Sequence, residues 1–265
     1  FLELVHRLDK ETSGILLVAK KRSALTALQE QFRQRRTDKQ YSTLVIGDWP
    51  AGLGRIEVAL VKTLDAQGER RVRVAGSVAT TAAAAPGRRN TRRGDDDEED
   101  DSGMPSLTLV RPRERLPGAT LLDVTIRTGR THQIRVHLQH AGYPIVGDDK
   151  YGDFELNHAW SRQGVARAGD AAAPRLRFER MFLHARRLAF DHPASGARIS
   201  LQAALPADCL ALLRHLGASA ATLEALAHSN ADVAAAASTA ASSAPPAPAP
   251  APASRPRPAP TRSRP

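Results

Sequence analysis

LLDVTIRTGRTHQIRVHLQHAG, Leu121 to Gly142, changes its period halfway along. In its first seven residues Leu122, Val124 and Ile126 alternate with Asp123, Thr125 and Arg127, the period of two expected of a strand with one buried face. After Thr128 the apolar positions become Ile134, Leu138 and Ala141, spaced for one face of a helix, with Gly142 placed to take the left-handed conformation just past its end.

Outward from this corner the same two periods recur. Upstream, LTLVRP (Leu107–Pro112) reads as the preceding strand, and a strand pair is expected at 54–63 and 70–74. YSTLVI (Tyr41–Ile46) is rich in β-formers and ends at Gly47, and ILLVAK (Ile15–Lys20) is short and apolar enough for a buried strand. Between them Ser23 is placed as the N-cap of a helix that aligns Leu25, Leu28 and Phe32. Downstream, ARRLAF and ARISLQA flank DHPASG (Asp191–Gly196) as a hairpin, before a last helix from Ala207 to Leu216. Strands and helices intermixed with hairpins, and with no βαβ repeat, predict an α+β fold: a mainly antiparallel mixed sheet flanked by helices.

Two stretches fall outside this pattern. Residues 76–105 are rich in alanine and carry four arginines before the acidic run DDDEEDD, so their charge is about −3. The chain from 219 onward is assigned to a tail; after Ser229 it is almost wholly Ala, Pro, Ser and Arg, with four arginines against Asp232, about +3. Neither has the apolar residues to offset the entropy of ordering, so both are expected to be disordered around a catalytic domain at 1–75 and 106–218. Because these two charges cancel, the formal net charge of +10 belongs to the foldable part. A basic domain favours a polyanionic partner, since neutralising phosphates releases condensed counterions.

Composition narrows the chemistry further. One cysteine, Cys209, excludes a disulfide framework and a Cys-based zinc site, and suits a reducing cytoplasm. No apolar stretch approaches the roughly 20 residues that span a bilayer, so no membrane partner is expected. The sequence contains no GxxxxGK, GxGxxG or HExxH pattern, and His132, His137 and His140 have no carboxylate or cysteine at metal-ligand spacing. The chain opens at Phe1 and enters a strand-like pattern at once, which reads as a fragment whose N-terminal part lies upstream.

Three segments remain: HRLDKETSG (His6–Gly14), KQYSTLVIG (Lys39–Gly47) and TGRTHQIRVHLQHAGYPIVGDDKYGD (Thr128–Asp153). From its residues alone, Asp9, set among His6, Arg7 and Lys10, could be a nucleophile, a cap or half of a surface ion pair. Taken together and in this order, the three segments resemble the RluA family of pseudouridine synthases, from Leu4 to about Leu216. GERRVRV (Gly68–Val74) and FLHARRLAFDHP (Phe182–Pro193) extend the likeness.

That resemblance implies a pseudouridine synthase catalytic fold. It also implies isomerisation of specific uridines in large-subunit (23S) ribosomal RNA without metal, nucleotide or redox cofactor, by a cytoplasmic monomer. A tRNA or dual-specificity enzyme, or a non-catalytic rRNA-binding assembly factor, are the alternatives. Asp9 then matches the catalytic aspartate, as nucleophile or as base in an elimination. Tyr41 matches the tyrosine that stacks on the flipped base, although a core tyrosine would have the same geometry. Arg135 matches the arginine that pairs with the aspartate. Arg7 matches the arginine that fills the gap left by the flipped base, with an ordinary phosphate contact as the plainer role. Arg130, His132 and Gln133 are expected to hold RNA or shape the turn, His6 to face RNA, and Leu183 to form a pocket wall. If HRLD and HQIR make one site, Asp9 and Arg135 must lie within about 4 Å of each other, with Tyr41 beside them.

Overall fold

The computed structural model describes residues 1–64, 68–76, 103–170 and 172–230. Along the chain run β1 (Glu3–Leu4), β2 (Ser13–Gly14), β3 (Val18–Ala19), α1 (Arg22–Arg33), β4 (Asp38–Ile46), β5 (Arg55–Leu64), β6 (Arg70–Val74) and β7 (Met104–Leu116). Then come β8 (Ala119–Ile126), α2 (Gln133–His140), α3 (Phe154–Arg162), β9 (Leu183–Asp191), β10 (Arg198–Gln202), α4 (Ala207–His215) and α5 (Ala220–Ala227). The main sheet has the order β10-β9-β4-β8-β7-β5-β6, every neighbouring pair antiparallel, and β2 adds to β9 in parallel. The α+β architecture with hairpins is therefore as expected.

β8 lies at the centre, and its alternation does not mean one wet face. Leu122, Val124 and Ile126 pack with Trp49, Ile134, Leu138 and Leu183 on one side of the sheet. On the other, Leu121 joins Leu44, Phe182, Leu205, Leu212 and Leu226 beneath α4 and α5. Asp123 is itself buried, and is tolerated because Arg111 and Arg113 both reach it at 2.9 Å. Alternation here marks apolar against ion-paired, not core against solvent.

α2 ends as the sequence predicts. Gly142 adopts φ +86°, its N–H donates to Gln139 O, and Tyr143 N–H donates to Leu138 O, a Schellman cap. α1 departs from expectation at its start: Lys21 is the N-cap without a side-chain cap, and Ser23 lies inside the helix. The first i→i−4 bond, Leu25 N–H to Lys21 O at 3.1 Å, follows from burying Leu25 and Leu28, and that packing outweighs a serine cap of about 1 kcal/mol. The expected Ile15–Lys20 strand also shrinks to Val18–Ala19, paired with β1. The preceding residues are already committed to β9, where Gly14 makes a close approach: with φ +117°, a Cβ there would sit 2.3 Å from Ala185 O.

The domain boundaries shift at both biased segments. β7 begins at Met104, paired with Leu60, so the insert ends before 103; residues 77–102 lie outside the described residues. The boundary drawn at 218 is too early, because α5 follows it. Ser219 accepts from Thr222 N–H as a true N-cap, and Leu226 is wholly buried in the core. Buried Arg186 has no carboxylate in contact among the described residues; it donates instead to the carbonyls of Ala203, Ala225 and Leu226, fastening α5 to β9. The expected tail from 231 onward lies outside the described residues.

Candidate active site

The strand-to-helix corner after β8 faces the loop that follows β1. Between them lies a cavity of about 260 Å³ whose lining includes His6, Arg7, Asp9, Tyr41, Arg130, His132, Gln133, Arg135 and Leu183. All nine residues singled out in the sequence are thus gathered in one place, from four separate stretches of chain.

Asp9 and Arg135 are within reach, Oδ2 to Nη1 at 3.9 Å, with the Asp9 side chain 19% exposed and the arginine 5%. The stronger grip on Arg135 comes from a residue to which the sequence reading gave no role. Asp148 is wholly buried and takes Nε on Oδ2 and Nη2 on Oδ1, both at 2.7 Å, while Asp149 accepts from Nη2 at 3.3 Å. The N–H groups of Lys150 and Tyr151 also donate to Asp148 Oδ1 at 2.9 Å, and the Tyr151 ring lies 5.0 Å from the guanidinium. Burial works against the arginine's charge, but the hydrogen bonds and charge of Asp148, with Asp9 behind them, hold its pKa above the ordinary value. The fork is thereby fixed before it meets Asp9, and only its third nitrogen is left for that carboxylate.

A bonded turn holds Asp9 itself, with Thr12 N–H donating to Asp9 O at 3.0 Å. Past that turn, Ser13 Oγ and His184 Nδ1 are hydrogen-bonded at 2.9 Å and Ile15 N–H donates to Ala185 O at 2.9 Å. The loop is therefore stapled to the strand that supplies the Leu183 wall. Tyr41, on β4 across from Val124, makes no side-chain hydrogen bond among the described residues. Burial, with the Asp9 charge adding, pushes its phenol up to about 12, so it is a neutral ring beside a carboxylate.

The remaining residues divide by what their polar atoms already do. Gln133 is buried: its Oε1 accepts from Thr128 Oγ1 and Arg130 N–H, and its Nε2 donates to Leu107 O and Thr108 Oγ1. It shapes the turn, and no part of its amide is left for RNA. His6 stacks on Phe32 at 4.8 Å and accepts from Leu17 N–H, so its ring is largely built into the wall. His132 is the N-cap of α2 at φ +53°, a left-handed conformation that costs a non-glycine residue about 1–3 kcal/mol. Its Nδ1 meets Tyr151 Oη at 2.7 Å, an oxygen that also accepts from Val72 N–H, and a neutral imidazole can take either side of that bond according to its tautomer. Burial, the main influence, lowers the His132 pKa in keeping with this neutral ring. Arg7 is exposed at the mouth, where the cavity opens into a groove of about 950 Å³ beside β6 and Lys150. Among the described residues the Arg130 side chain reaches only Pro105 O, at 3.4 Å, and keeps its other donors.

Sequence reasoning passed over Asp148, Tyr151 and Lys39, although all three stand in the quoted motifs, DDKYGD and KQY. A carboxylate three residues before a second tyrosine was the available signal.

The model of the family described as RNA pseudouridylate synthase matches residues 1–140. Ribosomal large subunit pseudouridine synthase C of Salmonella typhimurium is 40% identical over 220 residues, covering 81% of this chain and 57% of that protein. The protein of that name from Escherichia coli K12 is 39% identical over 218 residues with the same shares. The chain thus spans 57% of the length of these curated relatives. Among solved structures, human RNA Pseudouridylate Synthase Domain Containing 4 shares the fold at a TM-score of 0.56 and 24% identity, covering 81% of this chain and 76% of its own.

Proposed function

The chain belongs to the RNA pseudouridylate synthase family, and from that premise we propose that it isomerises specific uridines to pseudouridine in large-subunit ribosomal RNA. The observation that carries this reading is the carboxylate of Asp9 in a cavity with Tyr41, 3.9 Å from an arginine fixed by Asp148. A partly buried carboxylate is costly unless paired, and the fixed guanidinium supplies that partner and aims it.

In this reading the target nucleotide leaves the helical stack and enters the cavity, and Arg7 at the mouth occupies the space it vacates. The uracil lies on the Tyr41 ring, whose hydroxyl stays protonated. The N1–C1′ bond breaks with Asp9 acting as nucleophile at C1′ or as base. The freed uracil turns, the C5–C1′ bond forms, the hydrogen of C5 leaves to solvent and N1 takes up a proton. The protein is read as a cytoplasmic monomer acting on RNA. No described helix is long and apolar enough to cross a membrane, and Cys209 is a free, buried thiol.

The release of tritium from RNA labelled at uridine C5 tests the chemistry. The wild type should release it and Asp9→Asn should not; equal rates would remove Asp9 from the mechanism. Mapping the pseudouridines lost from total RNA of a deletion strain tests the substrate. Losses confined to tRNA would overturn the ribosomal assignment and leave the chemistry intact.

A further inference from the structure

The cavity holds a cation that no acid answers. Lys39 lies two residues before Tyr41 on β4 and lines the same space. Among the described residues its ammonium makes neither an ion pair nor a hydrogen bond. Adjacent Asp38 is engaged by Arg127 and Arg198, and Asp9 by Arg135. Nζ stands 5.6 Å from the centre of the Phe32 ring. A Cβ on residue 129 would come within 3.6 Å of it, so glycine at this position leaves the ammonium open toward the loop that carries Arg130.

Its other neighbours are basic. Burial lowers the Lys39 pKa and the charge of Arg35 lowers it further; His6 is lowered by burial first, with Lys39 adding. Desolvating an ammonium and crowding it with a guanidinium both disfavour the charge unless an anion arrives. We propose that Lys39 binds a backbone phosphate of the nucleotide whose base enters the Tyr41–Asp9 cavity, so that one strand offers the ring and the cation to the two ends of a single nucleotide. This rests on the isomerisation reading of the same cavity, and it adds a contact that positions the nucleotide without touching the reacting atoms.

Lys39→Met keeps the stem and removes the charge. The expected result is roughly a tenfold weaker Kd for a short RNA holding the mapped target, with most of the kinetic loss in KM. The plot of log K against log salt should flatten by about 0.7–0.9, one phosphate's share, and Lys39→Arg should restore both. A neutral methylphosphonate in place of one phosphate flanking the target should weaken the wild type by a similar factor and leave Lys39→Met no worse. Unchanged affinity and salt slope in Lys39→Met would overturn the proposal, as would fully additive penalties at both flanking phosphates. A wild type that binds RNA with the Lys39-dependent slope yet makes no pseudouridine would refute the isomerase reading alone and support the contact.

Discussion

Replacing Arg135 with lysine keeps the charge and removes the fork. Asp148 Oδ1 has three donors, Lys150 N–H, Tyr151 N–H and Arg135 Nη2, but among the described residues Oδ2 has only Arg135 Nε. One ammonium cannot serve both oxygens of Asp148 and also face Asp9, so at least one charge-assisted bond in a buried setting is lost, about 1.5–3 kcal/mol. For a domain of this size the melting temperature should fall by roughly 4–8 °C for a 2 kcal/mol loss. The catalytic loss should be larger than that stability change suggests, because the cation next to Asp9 is displaced by a bond length or more; an effect on the order of 100-fold in kcat is expected. Tritium release under single-turnover conditions, run beside a urea titration of the same sample, measures both. Asp148→Asn, which leaves Asp9 and Arg135 in place but loosens the fork, should reproduce the kcat defect in part. A lysine variant within twofold of wild-type kcat would refute the idea that a prefixed guanidinium is what Asp9 needs.

Gly14→Ala should destabilise the protein by at least about 2 kcal/mol and reduce activity with it, since the left-handed backbone and the 2.3 Å approach to Ala185 O admit no methyl; an unchanged melting curve would contradict the staple. His137 and His184 are both pushed down to about 4, chiefly by burial. Because the unfolded chain binds those protons near pH 6.5, their contribution is complete above that pH and is lost as pH falls toward 4. Urea midpoints measured from pH 7 to 4 should show this loss, and His184→Gln should flatten it; an identical slope in the variant would count against burial of a neutral His184. Deleting 77–102 should leave the melting temperature within a few degrees, because Gly103 lies against Ala75, a Cβ on the glycine reaching that of the alanine at 3.1 Å, and closure entropy changes slowly with loop length. A large drop would assign that segment a structural part.

The corner at Leu121–Gly142 was legible because its two periods are local properties of the chain, and the strong C-terminal glycine signal marked the helix end to the residue. The gathering of Asp9, Tyr41 and Arg135 was legible through motif order. The dominance of Asp148 was not, because which carboxylate a buried arginine grips depends on where the loop after α2 returns, a tertiary fact with no spacing signature. β8 misled for a related reason: Asp123 looks like a solvent-facing residue until two arginines from β7 are laid against it. α5 was missed because ASAATLEALA (218–227) is alanine-rich, and only the burial of Leu226 and the donors of Arg186 distinguish it from the tail.

The staple between Ser13 and His184 also dictates when the protein can begin to work. The two partners are 171 residues apart in the chain. On a ribosome adding about 5–20 residues per second, some 10–30 s separate their emergence. Throughout that interval the Asp9 loop has no strand to rest on, and a contact of such long sequence separation forms late. A nascent chain therefore carries the Asp9 carboxylate long before it carries a cavity, and the RNA all around it during synthesis meets no assembled site until β9 has left the exit tunnel.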